Sequence, residues 1–233
     1  MGLMSNFIYD LSTNAFVHRK HLQLIPTGQI SKNIFAIKTG TVNLFIYEKG
    51  SDRIAIDSGF GVSILKREFL FLGINPNEIT NLFLTHSDFD HASGLCVFQN
   101  AKIYLSSNEE PMITRTVARK YGIFYNKKIS RAYKLLKGND EVIVGTIKIR
   151  AIETPGHTPG SMSYLIDDEI LFVGDAFKLI DGKAYPNSPL YCMDTAKQEE
   201  SIKKLAKLKD VHSVFTAHGG YSINFGYAMA DWI

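Results

Sequence analysis

The amino-acid sequence predicts a mixed α/β protein. Three observations carry that expectation: nine short apolar runs of strand length, three stretches of helical character set between them, and a composition of 45% hydrophobic and 21% charged residues, enough to bury a sizeable core. Strands are expected at Ile34 to Ile37, Val42 to Tyr47, Arg53 to Ile56, Asn81 to Leu84, Lys102 to Leu105, Ile147 to Ile152, Ser163 to Ile166, Ile170 to Val173 and Val214 to Thr216. Val62 to Leu72 has apolar positions at helical spacing. A second helix is expected after Ser106-Ser107-Asn108-Glu109-Glu110, read as a cap followed by an acidic first turn. A third runs from Asp194 to Leu208, opening on Asp194-Thr195 and carrying its lysines late.

At roughly 150 residues per domain, 233 residues fit one large domain, taken as residues 1–233. The 26 Lys and Arg against 23 Asp and Glu leave a net charge of +3, too small for a nucleic-acid footprint. Cys96 and Cys192 form no CxxC pair, so they are read as buried small hydrophobes in a reducing compartment. Met1 to Asp10 lacks a basic segment ahead of an apolar one, Asn6 breaks the myristoylation pattern, and no apolar run nears the about 18 residues of a membrane span. The expectation is a soluble, cytoplasmic protein with a small-molecule partner, no nucleic acid and no membrane; oligomeric state leaves no signal.

Chemistry concentrates where apolar runs end. After Asn81 to Thr85 comes His86-Ser87-Asp88-Phe89-Asp90-His91; after Ile152-Glu153 comes Thr154-Pro155-Gly156-His157-Thr158-Pro159-Gly160-Ser161; after Ile170 to Val173 comes Gly174-Asp175; after Val214 to Ala217 comes His218-Gly219-Gly220. Open sheets place ligand sites beyond the carboxyl ends of their strands, so four strands would aim ionisable groups at one place. Two imidazoles and two carboxylates within six residues would repel or suffer desolvation unless a cation joined them. Proline and glycine around His157 fix a turn that holds one side chain still, as a ligand needs. His18, His21 and His212 have no such neighbours and are read as surface or packing residues.

Together with Asp57-Ser58-Gly59, these motifs resemble the metallo-β-lactamase superfamily in order and approximate spacing over about residues 30 to 220. The resemblance implies an αββα sandwich of two mixed β-sheets flanked by helices, with a two-metal site at one edge. It assigns His86 and His157 to a first metal, Asp90, His91 and His218 to a second, and Asp175 between them. Asp57 would orient the ligand loop. It also implies two divalent ions, zinc first, with iron or manganese as alternatives. Asp175 stands where true β-lactamases place cysteine, which points to the glyoxalase- and lactonase-like branches. The 15 residues after His218 are too few for the helical substrate domain of glyoxalase II.

One position departs from the family's usual HxHxDH: Asp88 stands where a second histidine is expected. A third carboxylate would make a two-metal, hydroxide-bridged cluster neutral, weakening its pull on water and on a carbonyl, and would suit harder ions. The expected function is a metal-dependent hydrolase in which a bridging hydroxide attacks an ester, thioester or lactone and Asp90 passes the proton to the leaving group. The alternative is a diiron redox protein resembling the flavodiiron core, which has Glu in HxExDH, reducing oxygen or nitric oxide with electrons from a separate partner. Of the remaining residues, the basic segment Asn126 to Asn139 is read as a solvated face, and Lys178 as a surface residue. Tyr185, Tyr191 and Tyr221 lie on loops near the ligands, Phe89 is expected to wall the site, and Phe225 to Ile233 to pack as the last element.

Overall fold

The structure is a computed structural model that describes residues 22–119, 122 and 125–233. Met1 to Asp10, with the readings made on it, and His18 and His21 lie outside the described residues. One sheet has seven strands in sequence order: β1 (Gly28–Ser31), β2 (Ile34–Thr39), β3 (Val42–Lys49), β4 (Asp52–Ile56), β5 (Asn81–Phe83), β6 (Lys102–Ser106) and β7 (Tyr133–Leu136). Its first four strands pair antiparallel and β4 through β7 pair parallel.

The second sheet contains β8 (Glu141–Val144), β9 (Ile147–Glu153), β10 (Met162–Ile166), β11 (Ile170–Gly174), β14 (Ser213–Thr216) and β15 (Tyr221–Ser222), in the order β15-β14-β11-β10-β9-β8. Only its β11 and β14 pair is parallel. A hairpin of β12 (Lys178–Ile180) and β13 (Lys183–Tyr185) stands apart. The helices are α1 (Val62–Leu72), α2 (Phe89–Ala92), α3 (Glu110–Ile113), α4 (Thr195–Ala206) and α5 (Phe225–Met229).

Period-two alternation in the central strands builds the layers. In β3, Leu44 and Ile46 face α1 while Phe45 and Tyr47 face the other sheet. In β11, Phe172 faces the first sheet while Leu171 and Val173 face α4 and α5. A strand covered on both sides buries every residue, which is why these runs read as continuously apolar. The result is the expected αββα sandwich of two mixed sheets flanked by helices. Its middle layer is aromatic: the rings of Phe45 and Phe172 are 5.3 Å apart, and those of Phe172 and Phe215 5.0 Å.

All nine expected strands form, and α1 and α4 fall where their spacing placed them. Asp194 caps α4 by accepting from the Lys197 N–H at 3.0 Å. The second expected helix is a 3-10 turn, Ser107–Glu109, followed by the short α3. Ser106 caps it and Glu109 stands in its acidic first turn, as read, with the Glu109 side chain fully buried.

Two other readings are corrected. Cys96 is exposed while Cys192 is buried, because Cys96 sits on a 3-10 turn, Ser93–Val97, whose other apolar side chains point inward. In the basic segment Lys127, Lys128, Lys134 and Lys137 are exposed as read, and of its basic residues Arg131 alone departs, being half-buried. Its guanidinium donates to the carbonyls of Leu95, Phe98, Gln99 and Ala101 and so staples the loop before β6. The C-terminal element packs as expected, with Phe225, Ala228 and Met229 buried and the Trp232 indole donating to the Ala184 carbonyl. No helix among the described residues is long and apolar enough to cross a membrane.

Phe172 is 1% exposed and contacts rings from both sheets. Phe172→Ala is expected to destabilise the protein by about 3–5 kcal/mol through lost burial and a residual cavity, read as a lowered urea midpoint at unchanged slope.

Candidate metal centre

Parallel register brings the ligand segments to one edge. Ile56 pairs with Phe83 across β4 and β5, so the chain leaving β4 at Asp57 meets the chain leaving β5 at Thr85. In the other sheet Gly174 pairs with Thr216, placing Asp175 beside the segment that ends at His218. The sheets are tied together at this edge: the Tyr164 hydroxyl donates to the Leu84 carbonyl, and the Met162 N–H to the Thr85 carbonyl, both at 2.8 Å. Gly174 holds a left-handed φ of 54° directly against Thr85, where any Cβ would collide.

All seven expected side chains meet there. His86, Asp88 and His157 form one set and Asp90, His91 and His218 another, while Asp175 joins His86 and His91 between them. In the first set Asp88 Oδ2 lies 3.5 Å from His86 Nε2 and 3.0 Å from His157 Nε2. In the second, Asp90 Oδ2 lies 3.5 Å from His218 Nε2 and 3.9 Å from His91 Nε2. Asp175 Oδ2 is 3.4 Å from His157 Nε2 and 3.3 Å from His218 Nε2, and its Oδ1 is 3.5 Å from His91 Nε2. Tetrahedral donors at zinc bond lengths stand about 3.3–3.4 Å apart, so most of these separations fit a shared ion.

The hydrogen bonds behind the imidazoles set which nitrogen faces inward. Asp57, with its backbone at φ 63°, accepts from the Thr85 N–H at 2.7 Å, from the Thr85 hydroxyl, and from His91 Nδ1 at 2.8 Å. With its hydrogen committed to Asp57, the Thr85 hydroxyl accepts from His86 Nδ1 at 3.0 Å. His218 Nδ1 donates to the Thr41 carbonyl at 2.6 Å. Each leaves an Nε2 lone pair aimed at the cluster. His86 Nε2, His91 Nε2 and Asp175 Oδ1 are buried without a hydrogen-bond partner, which a protein rarely tolerates unless another ligand satisfies them. Asp57 thus takes the orienting role that the resemblance implied for it.

The loops are clamped from outside by Glu109. It accepts from the Ser87 N–H at 2.8 Å, the Ser87 hydroxyl at 2.5 Å and the Thr158 hydroxyl at 2.7 Å, joining the segments that carry His86, Asp88 and His157. The Asn126 amide donates to Ser87 from the far side. Burial pushes the Glu109 carboxyl up, against His86 and these donors.

The structure also shows a group that sequence reasoning missed. Arg119, from the segment between α3 and β7, sends Nε to both Asp88 oxygens at 3.0 and 3.1 Å and Nη2 to Oδ2 at 2.6 Å. Nη1 donates to the His157 carbonyl at 2.7 Å and Nη2 to the Tyr191 carbonyl at 3.1 Å. The third carboxylate therefore has its own positive partner, and the expectation of a neutral cluster omitted one positive charge. Only the general need of a buried carboxylate for a counter-ion signalled this.

Electrostatics favour cations at the cluster. Burial acts to raise the carboxyls of Asp88 and Asp175, but the surrounding imidazoles outweigh it and hold both well below the usual range. Burial acts to lower His91, yet Asp175, Asp57 and Asp90 drive it well above its ordinary value, a demand for positive charge at that ring. Burial holds His157 below its ordinary value, against the pull of Asp175 and Asp88. The cluster opens into a cavity of about 400 Å³ lined also by Leu22, Thr41, Asn187 and Tyr191. A wider groove of about 520 Å³ along Pro26, Lys38, Ile64 and Phe71 contains none of the ligand side chains. Phe89 is 63% exposed, with its ring 6.1 Å from Phe60, and it is not among the residues that line the cavity, so it does not wall the site as expected. Tyr191 lines the cavity, whereas Tyr221 stacks on Phe215 and Tyr185 lies on β13. His212 is exposed, as read.

The profile of the metallo-beta-lactamase superfamily matches residues 37–218, spanning every one of these ligand segments. The chain belongs to that superfamily. A hydroxyacylglutathione hydrolase of Bartonella henselae is 32% identical over 153 residues, 65% of this chain and 53% of that protein. An N-acyl homoserine lactonase of Bacillus cereus is 30% identical over 166 residues, 67% of this chain and 61% of its own. The matches to the first of these curated relatives span 47 to 61% of their length, and one to a hydroxyacylglutathione hydrolase of Glaesserella parasuis spans 75%. Among solved structures, the Rm3 metallo-beta-lactamase superposes with a TM-score of 0.70 at 17% identity, covering 93% of this chain and 92% of that one. Membership in the metallo-beta-lactamase superfamily accounts for the sandwich and for the ligand segments collecting at its edge.

Glu109→Ala would leave the buried Ser87 and Thr158 donors without an acceptor. A loss of about 3 kcal/mol or more in unfolding free energy is expected, with Glu109→Gln, which keeps an acceptor, losing less than half as much in the same denaturant titration.

Proposed function

We propose that the chain is a binuclear metal-dependent hydrolase of ester, thioester or lactone substrates. The observation that carries this reading is the pair of donor sets facing one another across Asp175, with unpartnered buried nitrogens aimed between them. His86, Asp88 and His157 would hold one divalent ion, Asp90, His91 and His218 the other, and Asp175 both. Zinc suits the imidazoles, while the carboxylate share admits iron or manganese. Bound there, the ions would supply a Lewis acid and a hydroxide at neutral pH. The relatives named hydroxyacylglutathione hydrolase and N-acyl homoserine lactonase support the substrate class.

The chain's own residues would do the rest. The side chain of Asp90 is 30% exposed and lines the cavity, so its carboxylate can take a proton there and pass it to a leaving group. Asp57 and Thr41 hold the rings of His91 and His218 so that their Nε2 atoms stay turned inward. Asn187, anchored by its donation to the Asp175 carbonyl at 2.7 Å, and Tyr191 form the cavity wall against which an acyl group would lie. The cavity is open at one side, as a small-molecule substrate requires.

His91→Ala and His157→Ala are each expected to lower bound metal to one equivalent or less and to reduce turnover of a thioester or lactone by about 100-fold or more. Elemental analysis and a spectrophotometric assay on the same preparations check this; retention of two equivalents by either variant would contradict the ligand assignment. Chelation should abolish the same turnover and added zinc should restore it. Hydrolysis that survives complete metal removal would contradict the mechanism.

A further inference from the structure

Arg119 occupies an unusual position for a salt-bridge partner. Its Nη2 lies 2.6 Å from Asp88 Oδ2 and also 2.9 Å from His157 Nε2, two of the three donor atoms of the first set. An imidazole nitrogen has a single lone pair, and it can face one cation at a time. His157 Nδ1, the other ring nitrogen, is buried with no partner, so nothing behind the ring fixes its tautomer, and Nε2, which is also 3.0 Å from Asp88 Oδ2, is engaged by the Asp88–Arg119 pair rather than committed to an ion. The second set differs on each point. His91 and His218 have Nδ1 fixed by Asp57 and Thr41, and no guanidinium or ammonium of the described residues bonds to their Nε2 atoms. The guanidinium itself is well held, its side chain 15% exposed and bonded to Asp88 and to the carbonyls of His157 and Tyr191.

We propose that Arg119 is a built-in rival for the first metal position, so that the guanidinium and a divalent ion compete for Asp88 and His157, and the two positions differ in affinity. The inference rests on the two-ion reading above. The second position, of Asp90, His91, His218 and Asp175, holds its ion firmly, while the first exchanges more readily because an ion must displace a bonded cation and then tolerate its charge nearby. Asp88 in place of a histidine is what makes the rivalry effective. A carboxylate engages a guanidinium through both oxygens, and a neutral imidazole offers it only one lone pair.

The test is graded chelation of zinc-loaded full-length protein, with zinc per chain read by elemental analysis and imidazole nitrogen signals by NMR along the same series. In the wild type one zinc should leave at a chelator concentration at least tenfold below that needed for the other, and the His157 ring signals should change with the early step, those of His91 and His218 with the late one. Arg119→Gln should move the early step at least tenfold toward higher chelator and leave the late step within twofold; Arg119→Lys, which keeps the charge, should move it less. An early step that stays put or comes sooner in Arg119→Gln would overturn the inference, since Arg119 would then only anchor Asp88. So would wild-type His157 signals that change with the late step, a result that stands even if the variants fold poorly. Wild type and Arg119→Gln that both never hold two zinc would instead overturn the two-ion reading, and this inference with it.

Discussion

Burying three carboxylates and four imidazoles within a few ångströms of one another is costly, and everything at this edge of the sandwich is arranged to sustain it. The lone pairs converge because the strands that carry them end at the same edge, and the sheets are pinned there by Tyr164 and Met162. Asp57 spends its carboxylate on Thr85 and His91, leaving His86 and His91 no freedom to turn their Nε2 atoms away. Glu109 performs the equivalent service for the loops of Asp88 and His157. Preorganisation of this kind is what separates a cluster able to receive ions from a chance gathering of polar residues.

The two halves of the cluster are supported differently. The side of His91 and His218 is braced by acceptors that fix tautomer and ring orientation. The side of Asp88 and His157 is braced by Arg119, a cation. Replacing a neutral ligand by a carboxylate changes the charge of the site, and the chain answers with a guanidinium from a segment distant in sequence. A charge count confined to the ligand motifs therefore misjudges the site, because compensation comes from outside them.

The layers and the residues that gather in the cluster are legible in the sequence for a physical reason. Strands covered on both faces must be apolar throughout, so β3, β4, β5, β10 and β11 announce themselves, and ionisable residues placed directly after such runs stand out against them. What escaped is equally explicable. β7 and β8 bury one face only partly and carry lysine and glutamate, β12 and β13 are three residues each, and β1 is short and polar. Apart from the short Val142-Ile143-Val144 run of β8, none differs from a loop in local pattern. Glu109 was legible as part of an acidic first turn but not as a buried clamp, because both roles can fall on the same residue. Cys96 was misjudged on residue type alone. Arg119 lacked any local signature; only its contact with Asp88, 31 positions away, defines it.

Whether two ions occupy the two donor sets decides the rest. Anomalous diffraction at the zinc edge, from crystals of the full chain grown with excess zinc, tests that most directly. Two peaks are predicted, one among His86, Asp88, His157 and Asp175 and one among Asp90, His91, His218 and Asp175. No peak in either set, or ions bound only elsewhere on the surface, would contradict it.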